Sequence, residues 1–313
     1  MERREPSLTF DEQDIYFTSS EDLSFLPPGQ VKFFMTSPPY WNLKDYGHPD
    51  EIGRQDYDEY LERMNLVWQA CYRAASPDSV LVIDVANRRH KKRFYPIGMD
   101  ITARMEGWVL WDILLWYIPN ALPQCAHYME RLFDNKYEML MVFTKDGATD
   151  YEFHKPRVPQ KYATADPRAH KKHVDGRCIG NIIRVPAYRP PNVKKLGYHV
   201  AAYPEELVAL MLHSFTSEGD TVLDPFLGSG TTLKVARGMG RKGIGIELNP
   251  DYADLITQRI REPFELPDWK SLDILHSSTM ATGMSSGPRK VHLLRDQIAD
   301  REAASAQADL FGG

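Results

Sequence analysis

Cysteine is scarce. The 313 residues hold three, Cys71, Cys125 and Cys178, an odd and widely scattered set. Such a set offers neither a disulfide framework nor a Cys-x-x-Cys pair for structural zinc, so no metal is expected. Long hydrophobic runs are missing as well. No apolar stretch reaches the ~18 residues a membrane span needs, and the best candidate, 108–118, is interrupted by Asp112. The opening MERREPSLTF has no apolar core of the kind found in secretory signals, so a cytoplasmic location is expected. Hydrophobic residues make up 42%, charged residues 26% and aromatics 11%, which excludes wholesale disorder and collagen-like sequence. This length accommodates one large α/β domain or two ordinary ones.

A surplus of positive charge is lacking too. The net charge of −5 predicts no polyanion partner by itself, but the average hides a split. Residues 151–200 hold eleven Lys+Arg against three Asp+Glu, so the remainder is distinctly acidic. A basic island in an acidic protein is an electrostatic footprint.

Periodicity divides the chain further. Residues 1–36 are acidic and end in an apolar run at 31–35 that reads as a buried strand. Tyr60, Leu61, Met64, Val67, Trp68 and Cys71 recur at helical spacing, and 80–85, 108–118 and 138–143 read as strands. Strands alternating with helices predict an α/β fold with a mostly parallel sheet covered on both faces. Residues 146–198 lose this rhythm. They are rich in Pro, Lys, Arg, His and Tyr and read as loops with little core. Residues 199–262 regain it: a helix at 204–217, a strand at 221–224, a helix from Thr231, a strand at 243–247 and a helix at 250–260. Beyond about residue 268 the chain is polar and rich in Ser, Gly and Ala, as a mobile tail is.

Two segments carry chemistry. In the first, an apolar strand ends at Asp224 and runs through Pro225, Phe226 and Leu227 into Gly228-Ser229-Gly230-Thr231-Thr232. Glycines let the backbone approach a ligand without a Cβ clash. The helix that follows offers free N–H groups to a carboxylate. The next strand ends in Glu247, where a carboxylate can accept both hydroxyls of a ribose. No lysine directly follows the glycines, which disfavours a phosphate-binding P-loop. In the second segment, Thr36-Ser37-Pro38-Pro39-Tyr40-Trp41 follows the 31–35 strand. Two prolines remove two backbone donors and hold their carbonyl acceptors rigidly. With the Ser37 hydroxyl and the Tyr40 ring, this segment can grip an amino group on a flat heterocycle.

Together these segments resemble the S-adenosylmethionine-dependent DNA amino-methyltransferases, in the permuted β-class order with the catalytic motif ahead of the cofactor motif. The resemblance spans roughly residues 12–262. It rests on TSPPYWNLKDYG, EIGRQDYDEYL, YIPNALP, RLFDNKYEMLMVFTK, YHVAAYPEELV, DPFLGSGTT and RKGIGIELNPDYADLITQRI. It implies a Rossmann-like methyltransferase with a doubly wound sheet and a small, basic, loop-rich target-recognition region. The implied divisions are 1–145 for the catalytic half, 146–197 for target recognition, 198–268 for the cofactor half and 269–313 for a flexible tail.

The resemblance also assigns roles. Asp224, Pro225, Phe226, Gly228, Ser229, Gly230, Thr231 and Thr232 would hold the methionine part of the cofactor, Glu247 its ribose, and 199–204, including Tyr203 and Pro204, would close over the methionine end. Ser37, Pro38, Pro39 and Tyr40 would hold a flipped-out target base, with Trp41 or Trp116 helping to stack. The family's usual Gly-Asp pair near the N-terminus is absent from 16–22, which leaves Thr18, Ser19 or Asp22 as candidates for adenine contact. No Pro-Cys dipeptide occurs, so cytosine C5 is not the target. In this family a leading Asp or Asn usually marks adenine N6 and a leading Ser cytosine N4. Ser37 therefore points to N4 of cytosine in double-stranded DNA, with adenine N6 as the alternative. RNA or protein-amide methylation is disfavoured by the permuted motif order and the basic insert, and a catalytically silent DNA-binding regulator by the intact motifs.

The basic island matches the family's target-recognition region. Arg157, Lys161, Arg168, Lys171, Lys172, Arg177, Arg184, Arg189, Lys194 and Lys195 are candidates for phosphate or guanine contacts. A second run, Arg88, Arg89, His90, Lys91, Lys92 and Arg93, follows the 80–85 strand and reads as a loop tracking a phosphate backbone. Relatives suggest a restriction endonuclease as partner and a homodimer as assembly. The segment from Gln307 to Phe311 is similar to the Gln-x-Asp/Ser-Leu-Phe peptide that binds the bacterial sliding clamp, with Ala308 in place of the usual Leu.

Overall fold

The computed structural model describes residues 4–43, 47–123, 131–158, 176–187 and 202–275. The chain begins with a hairpin of β1 (Leu8–Phe10) and β2 (Gln13–Phe17). It continues through β3 (Val31–Thr36), α1 (Tyr57–Ala74), β4 (Ala75–Val85), a second hairpin of β5 (Arg88–His90) and β6 (Arg93–Tyr95), α2 (Ile97–Thr102), β7 (Trp108–Tyr117) and β8 (Tyr137–Lys145). Then come β9 (Arg157–Val158), β10 (Arg177–Cys178), β11 (Ile182–Arg184), α3 (Glu205–Phe215), β12 (Thr221–Asp224), α4 (Thr231–Gly238), β13 (Lys242–Glu247), α5 (Ala253–Arg261) and α6 (Trp269–Leu272).

The main sheet has nine strands in the order β1-β2-β13-β12-β3-β4-β8-β7-β11. From β2 to β4 every neighbour is parallel, whereas β8 runs antiparallel to both β4 and β7. Local sequence accounts for the central elements. Asp56 caps α1 by accepting from Glu59 N at 3.0 Å, a contact worth about 1 kcal/mol. The apolar stripe of α1, from Tyr60 to Cys71, is wholly buried. In β3 the side chains alternate: Phe34 packs with α1, while Phe33 and Met35 pack with α3. Both sheet faces are thus covered by helices, and buried parallel strands read as continuous apolar runs for that reason.

The two crossovers leave the centre in opposite directions. The path β3–α1–β4 moves one way along the sheet and β12–α4–β13 the other. The strand order reverses between β12 and β3, and the carboxyl ends of both strands meet there. Open α/β sheets bind their ligands in the crevice at such a reversal.

Several elements differ from the sequence reading. The N-terminal hairpin and α2 carry too few residues for a clear period. The helix expected at 250–260 opens with a 3₁₀ turn, Pro250–Tyr252, before α5. The 146–197 region is not uniformly loop. Its β11 joins the edge of the main sheet beside β7, and Val158, Ile179, Ile183 and Val185 are buried with the α3 core. The expected tail boundary at 268 also moves. Leu272 of α6 is buried, and Asp273 bridges to Ile183 and pairs with Arg177. These elements form one unit, Met1–Ile274; of the second unit, Leu275–Gly313, only Leu275 is described.

Candidate active site

A cavity of about 430 Å³ opens at the reversal point, within the range of small-molecule sites, roughly 300–1,000 Å³. Its wall draws on both motifs. Ser37, Pro38, Pro39 and Tyr40 line one part; Pro225, Phe226, Gly228, Ser229, Glu247 and Tyr203 line the other.

Asp224 ends β12 but is buried and does not line the cavity. Its carboxylate is filled by internal donors. Thr36 Oγ1 reaches Oδ1 at 2.7 Å, Phe226 N at 3.0 Å, and Tyr203 OH reaches Oδ2 at 2.9 Å, with Thr232 Oγ1 on the same oxygen. Burial pushes this carboxyl up, and these hydrogen bonds pull it back. Asp224 therefore ties β3, the glycine turn, α4 and Tyr203 together. The expected direct contact with a ligand is corrected to a positioning one. Gly230, Thr231, Thr232 and Pro204 likewise stand behind the wall. Gly230 has φ +89, and a Cβ there would lie 3.5 Å from Ile256 and Ile260. Gly228 has φ +54, and a Cβ there would meet nothing closer than Phe226 O at 3.9 Å. The open side of Gly228 faces space a ligand can fill.

Glu247 lies on the wall at the end of β13. Its Oε2 accepts from Gly228 N and its Oε1 from Asn249 N, both at 2.9 Å. Burial pushes this carboxyl up to about 7 despite those two bonds. Each oxygen keeps lone pairs for further donors. Of the adenine candidates, Ser19 lines the cavity, as does its neighbour Ser20. Thr18 Oγ1 accepts from Arg4, and Asp22 caps Ser24 N away from the wall. Glu21 is held bidentately by Arg63 at 2.7 and 2.6 Å.

At the end of the cavity lined by the Ser37–Tyr40 loop, Tyr40 OH donates to Glu138 Oε2 at 3.0 Å and lies 2.8 Å from Ser37 Oγ. A phenol has one hydrogen, so Ser37 donates to Tyr40 and its lone pairs remain available. Burial and the charges of Asp84 and Glu138 hold the Tyr40 hydroxyl well above its ordinary value, so it stays a donor. Tyr60 OH takes the Pro39 carbonyl at 2.8 Å. Among the described residues no donor reaches the Pro38 carbonyl, which is left as an acceptor for a ligand. Trp116 lines the cavity, with its Nε1 bonded to Val185 O at 2.8 Å. Trp41 does not. It is buried against Tyr57, His90 and Tyr95 and donates to Gln55 O, so the expectation that it stacks on a ligand is corrected.

Among the wall residues that the sequence did not single out are Asp84 and Glu138. Their signal is an alternation. Val80, Val82 and Asp84 share one face of β4; Glu138, Leu140 and Val142 share the same face of β8, in the register Asp84 to Leu140. Each apolar stripe ends in an acid at the site.

The basic run of 88–93 is a hairpin rather than a loop. Lys91 and Lys92 form its turn with φ 47 and 65, as a two-residue type I′ turn requires. Lys91, Lys92 and Arg93 are exposed; Arg88 and Arg89 are half-buried. Arg89 lies over Phe94 and Arg93 over Tyr95. In the 146–197 region Arg177 pairs with the buried Asp273. Arg157 donates to Gly176 O at 3.1 Å, and Arg184 lies half-buried on β11. Lys161, Arg168, Lys171, Lys172, Arg189, Lys194 and Lys195 lie outside the described residues, as does the clamp-like segment from Gln307 to Phe311.

A doubly wound sheet with a carboxylate-ended cofactor strand and a proline-clamped acceptor loop beside it defines a methyltransferase of the Rossmann-like class. The sequence model of the DNA methylase family, which unites N6 and N4 enzymes, matches residues 31–258, and the chain belongs to that family. The type II methyltransferase M.XycI of Xanthomonas campestris pv. cyanopsidis is 29% identical over 269 residues, 75% of this chain and 83% of the relative. M.MwoI of Methanothermobacter wolfeii is 30% identical over 261 residues, 78% of this chain but 34% of that longer protein. A putative DNA modification methylase of Thermus thermophilus, solved with S-adenosyl-L-methionine, matches with TM-score 0.54 and 26% identity over 79% of this chain and 93% of that one. The PvuII cytosine-N4-specific methyltransferase shares the fold, with TM-score 0.63 and 21% identity over 83% and 90%. The protein is thus a DNA methyltransferase that uses S-adenosylmethionine. The site fits that cofactor: Glu247 offers lone pairs to a diol, Gly228 leaves room beside it, and no side chain caps the start of α4.

Proposed function

We propose that this enzyme methylates the exocyclic N4 of a cytosine flipped out of double-stranded DNA. The observation that carries the reading is the polarity of the Ser37–Tyr40–Glu138 chain. Because Tyr40 donates to Glu138 Oε2, Ser37 gives its hydrogen to Tyr40 and turns acceptor lone pairs to the cavity. The exocyclic amine of a base is a poor nucleophile because its lone pair is delocalised into the ring. Ser37 Oγ and the Pro38 carbonyl accept its two N–H bonds and so localise that lone pair. Tyr40 and Trp116 flank the ring. Bound S-adenosylmethionine supplies an electrophilic methyl group on sulfur; the chain supplies the position of the amine. Ser19 or Ser20 stands where the cofactor adenine would be met, and Glu247 where its ribose would be.

Flipping costs a few kcal/mol, offset by contacts along the DNA backbone. Lys91, Lys92 and Arg93 at the exposed hairpin tip are suited to phosphate contact, and Arg157 and Arg184 to target reading.

The test is to incubate the protein with unmethylated genomic DNA and labelled S-adenosylmethionine, digest to nucleosides and analyse by mass spectrometry. N4-methylcytosine is the expected product. N6-methyladenine in its place would overturn the choice of base, and unmodified DNA would overturn the DNA reading as a whole.

A further inference from the structure

Trp41 is the strained residue beside the site. It follows Tyr40 directly, it is buried, and its φ is +46. A bulky side chain adopts that backbone region only where its surroundings hold it there. Those surroundings are a box of rings. Tyr57, His90 and Tyr95 lie 5.0, 5.3 and 4.8 Å from the Trp41 ring, centroid to centroid, and Tyr57 meets Tyr95 at 4.7 Å. The indole Nε1 donates to Gln55 O at 2.9 Å. A Cβ on Gly53 would lie 3.0 Å from the Trp41 carbonyl oxygen, so the chain closes on the Trp41 backbone there as well.

Two walls of the box belong to the basic hairpin. His90 ends β5 and Tyr95 ends β6, on the same face of a two-stranded sheet separate from the main one. The hairpin tip carries the exposed Lys91 and Lys92.

We propose that Trp41 is a positioning residue through which this hairpin sets the acceptor loop, so that phosphate contact at Lys91 and Lys92 speeds methyl transfer besides tightening DNA binding. The inference rests on the reading of the site as one that methylates a base amine in DNA. Tyr60 OH anchors the Pro39 carbonyl at 2.8 Å, and the box anchors the Trp41 ring. Between these anchors stands Tyr40, whose hydroxyl meets Ser37 Oγ at 2.8 Å and Glu138 Oε2 at 3.0 Å. When His90 and Tyr95 withdraw, Trp41 relaxes to negative φ, the Tyr40–Trp41 peptide turns, and the Tyr40 hydroxyl leaves Ser37. Ser37 then loses the partner that aims its lone pairs at the cavity. A ligand shifts such an equilibrium only through contacts that it makes in one state and not in the other. DNA whose target base already occupies the cavity meets the tip only while the hairpin is seated on Trp41.

The experiment is a double-mutant cycle in the full chain. Single-turnover rates are measured with saturating S-adenosylmethionine and saturating fragments of unmethylated genomic DNA, alongside affinities for the DNA and for S-adenosylhomocysteine. Lys91→Asn with Lys92→Gly keeps the turn and removes its charges. It weakens DNA binding and also lowers the saturated rate by about fivefold or more. Tyr95→Ala opens the box and lowers the same rate. In that background the tip substitutions still weaken DNA binding but change the saturated rate by no more than about twofold. Tyr95→Phe keeps the ring and restores the response. S-Adenosylhomocysteine affinity stays within about twofold throughout. A tip variant that binds DNA more weakly yet transfers at the full saturated rate makes the hairpin a clamp only and overturns the proposal. Equal rate losses from the tip substitutions with and without the Tyr95 ring overturn it too, because the two then act independently. A tip variant unchanged in both affinity and rate shows a tip that meets no phosphate, with the same consequence. Should Tyr95→Ala fail to fold, His90→Ala, at a half-buried wall of the box, carries the cycle. A wild type that methylates no DNA would instead sink the underlying reading of the site.

Discussion

Glu247 joins a physical cost to a use. Its carboxyl is buried enough to sit at about 7, yet two backbone N–H groups already aim at it. A ligand diol that donates to the same oxygens favours the charged form and lowers that pKa. Binding therefore expels a proton wherever the free carboxyl is protonated. The sign follows: cofactor affinity rises with pH up to the free-state value and levels off above it. The expected gain is roughly tenfold between pH 6 and pH 8 for a free carboxyl near 7. Calorimetry in buffers of different ionisation enthalpy measures the proton released. Glu247→Gln should bind more weakly with a flat profile; an unchanged slope would show that the titrating group is elsewhere. Asp224 differs although both acids end neighbouring strands. Four internal donors fill it, so sequence proximity to the glycine turn marks it correctly while hiding its role. Only the structure separates the acid that positions from the acid that faces the cavity.

At the scale of elements, the basic hairpin of β5 and β6 shows what periodicity misses. Six polar residues in a row, Arg88 to Arg93, give no alternation of apolar and polar side chains, and lysine rarely marks a turn with positive φ. What makes the ribbon is the aromatic backing: Phe94 beneath Arg89, Tyr95 beneath Arg93, and Trp41 against both His90 and Tyr95. Replacing Lys91-Lys92 with Asn-Gly suits the turn better and removes two exposed charges. Thermal stability should hold or rise. DNA affinity should fall, and the slope of its logarithm against log salt should become less steep by about two, near 0.9 for each lost phosphate contact. An unchanged slope would make the hairpin tip a solvated turn. The central strands were legible because burial on both faces leaves an unbroken apolar run, as in β3 and the end of β4. Asp84 and Glu138 were legible in principle, as the polar ends of period-two stripes, but only the pairing of β4 with β8 brings them together.

At the scale of the whole molecule, the site depends on two chain halves meeting at one reversal of strand order, well inside a sheet whose edges are β1 and β11. The cofactor side lies on β12 and β13; the opposite edge is β11, with β3, β4, β8 and β7 between. That edge reaches the cavity through Trp116, whose ring nitrogen is held by Val185 just after β11. It is fastened in turn by α6, through buried Leu272, the Asp273–Ile183 bridge and the Arg177–Asp273 pair. Composition alone places the end of the fold near 268, because one buried leucine and one aspartate give no pattern that a sequence can show. Two shortened chains test the fastening, one ending at Leu275 and one at Asp268. Losing Leu272 from the interior removes about 2 kcal/mol, and leaving Arg177 half-buried without its acid adds on the order of 1 kcal/mol. At roughly 2–4 °C per kcal/mol for a domain of this size, the shorter chain should melt roughly 6–12 °C below the longer. Its cofactor affinity should match, because five strands separate Glu247 on β13 from β11, whereas its methyl-transfer rate should drop as Trp116 loses its hold. If both chains melt together and transfer alike, the α6 clasp has no part in shaping the base-facing wall.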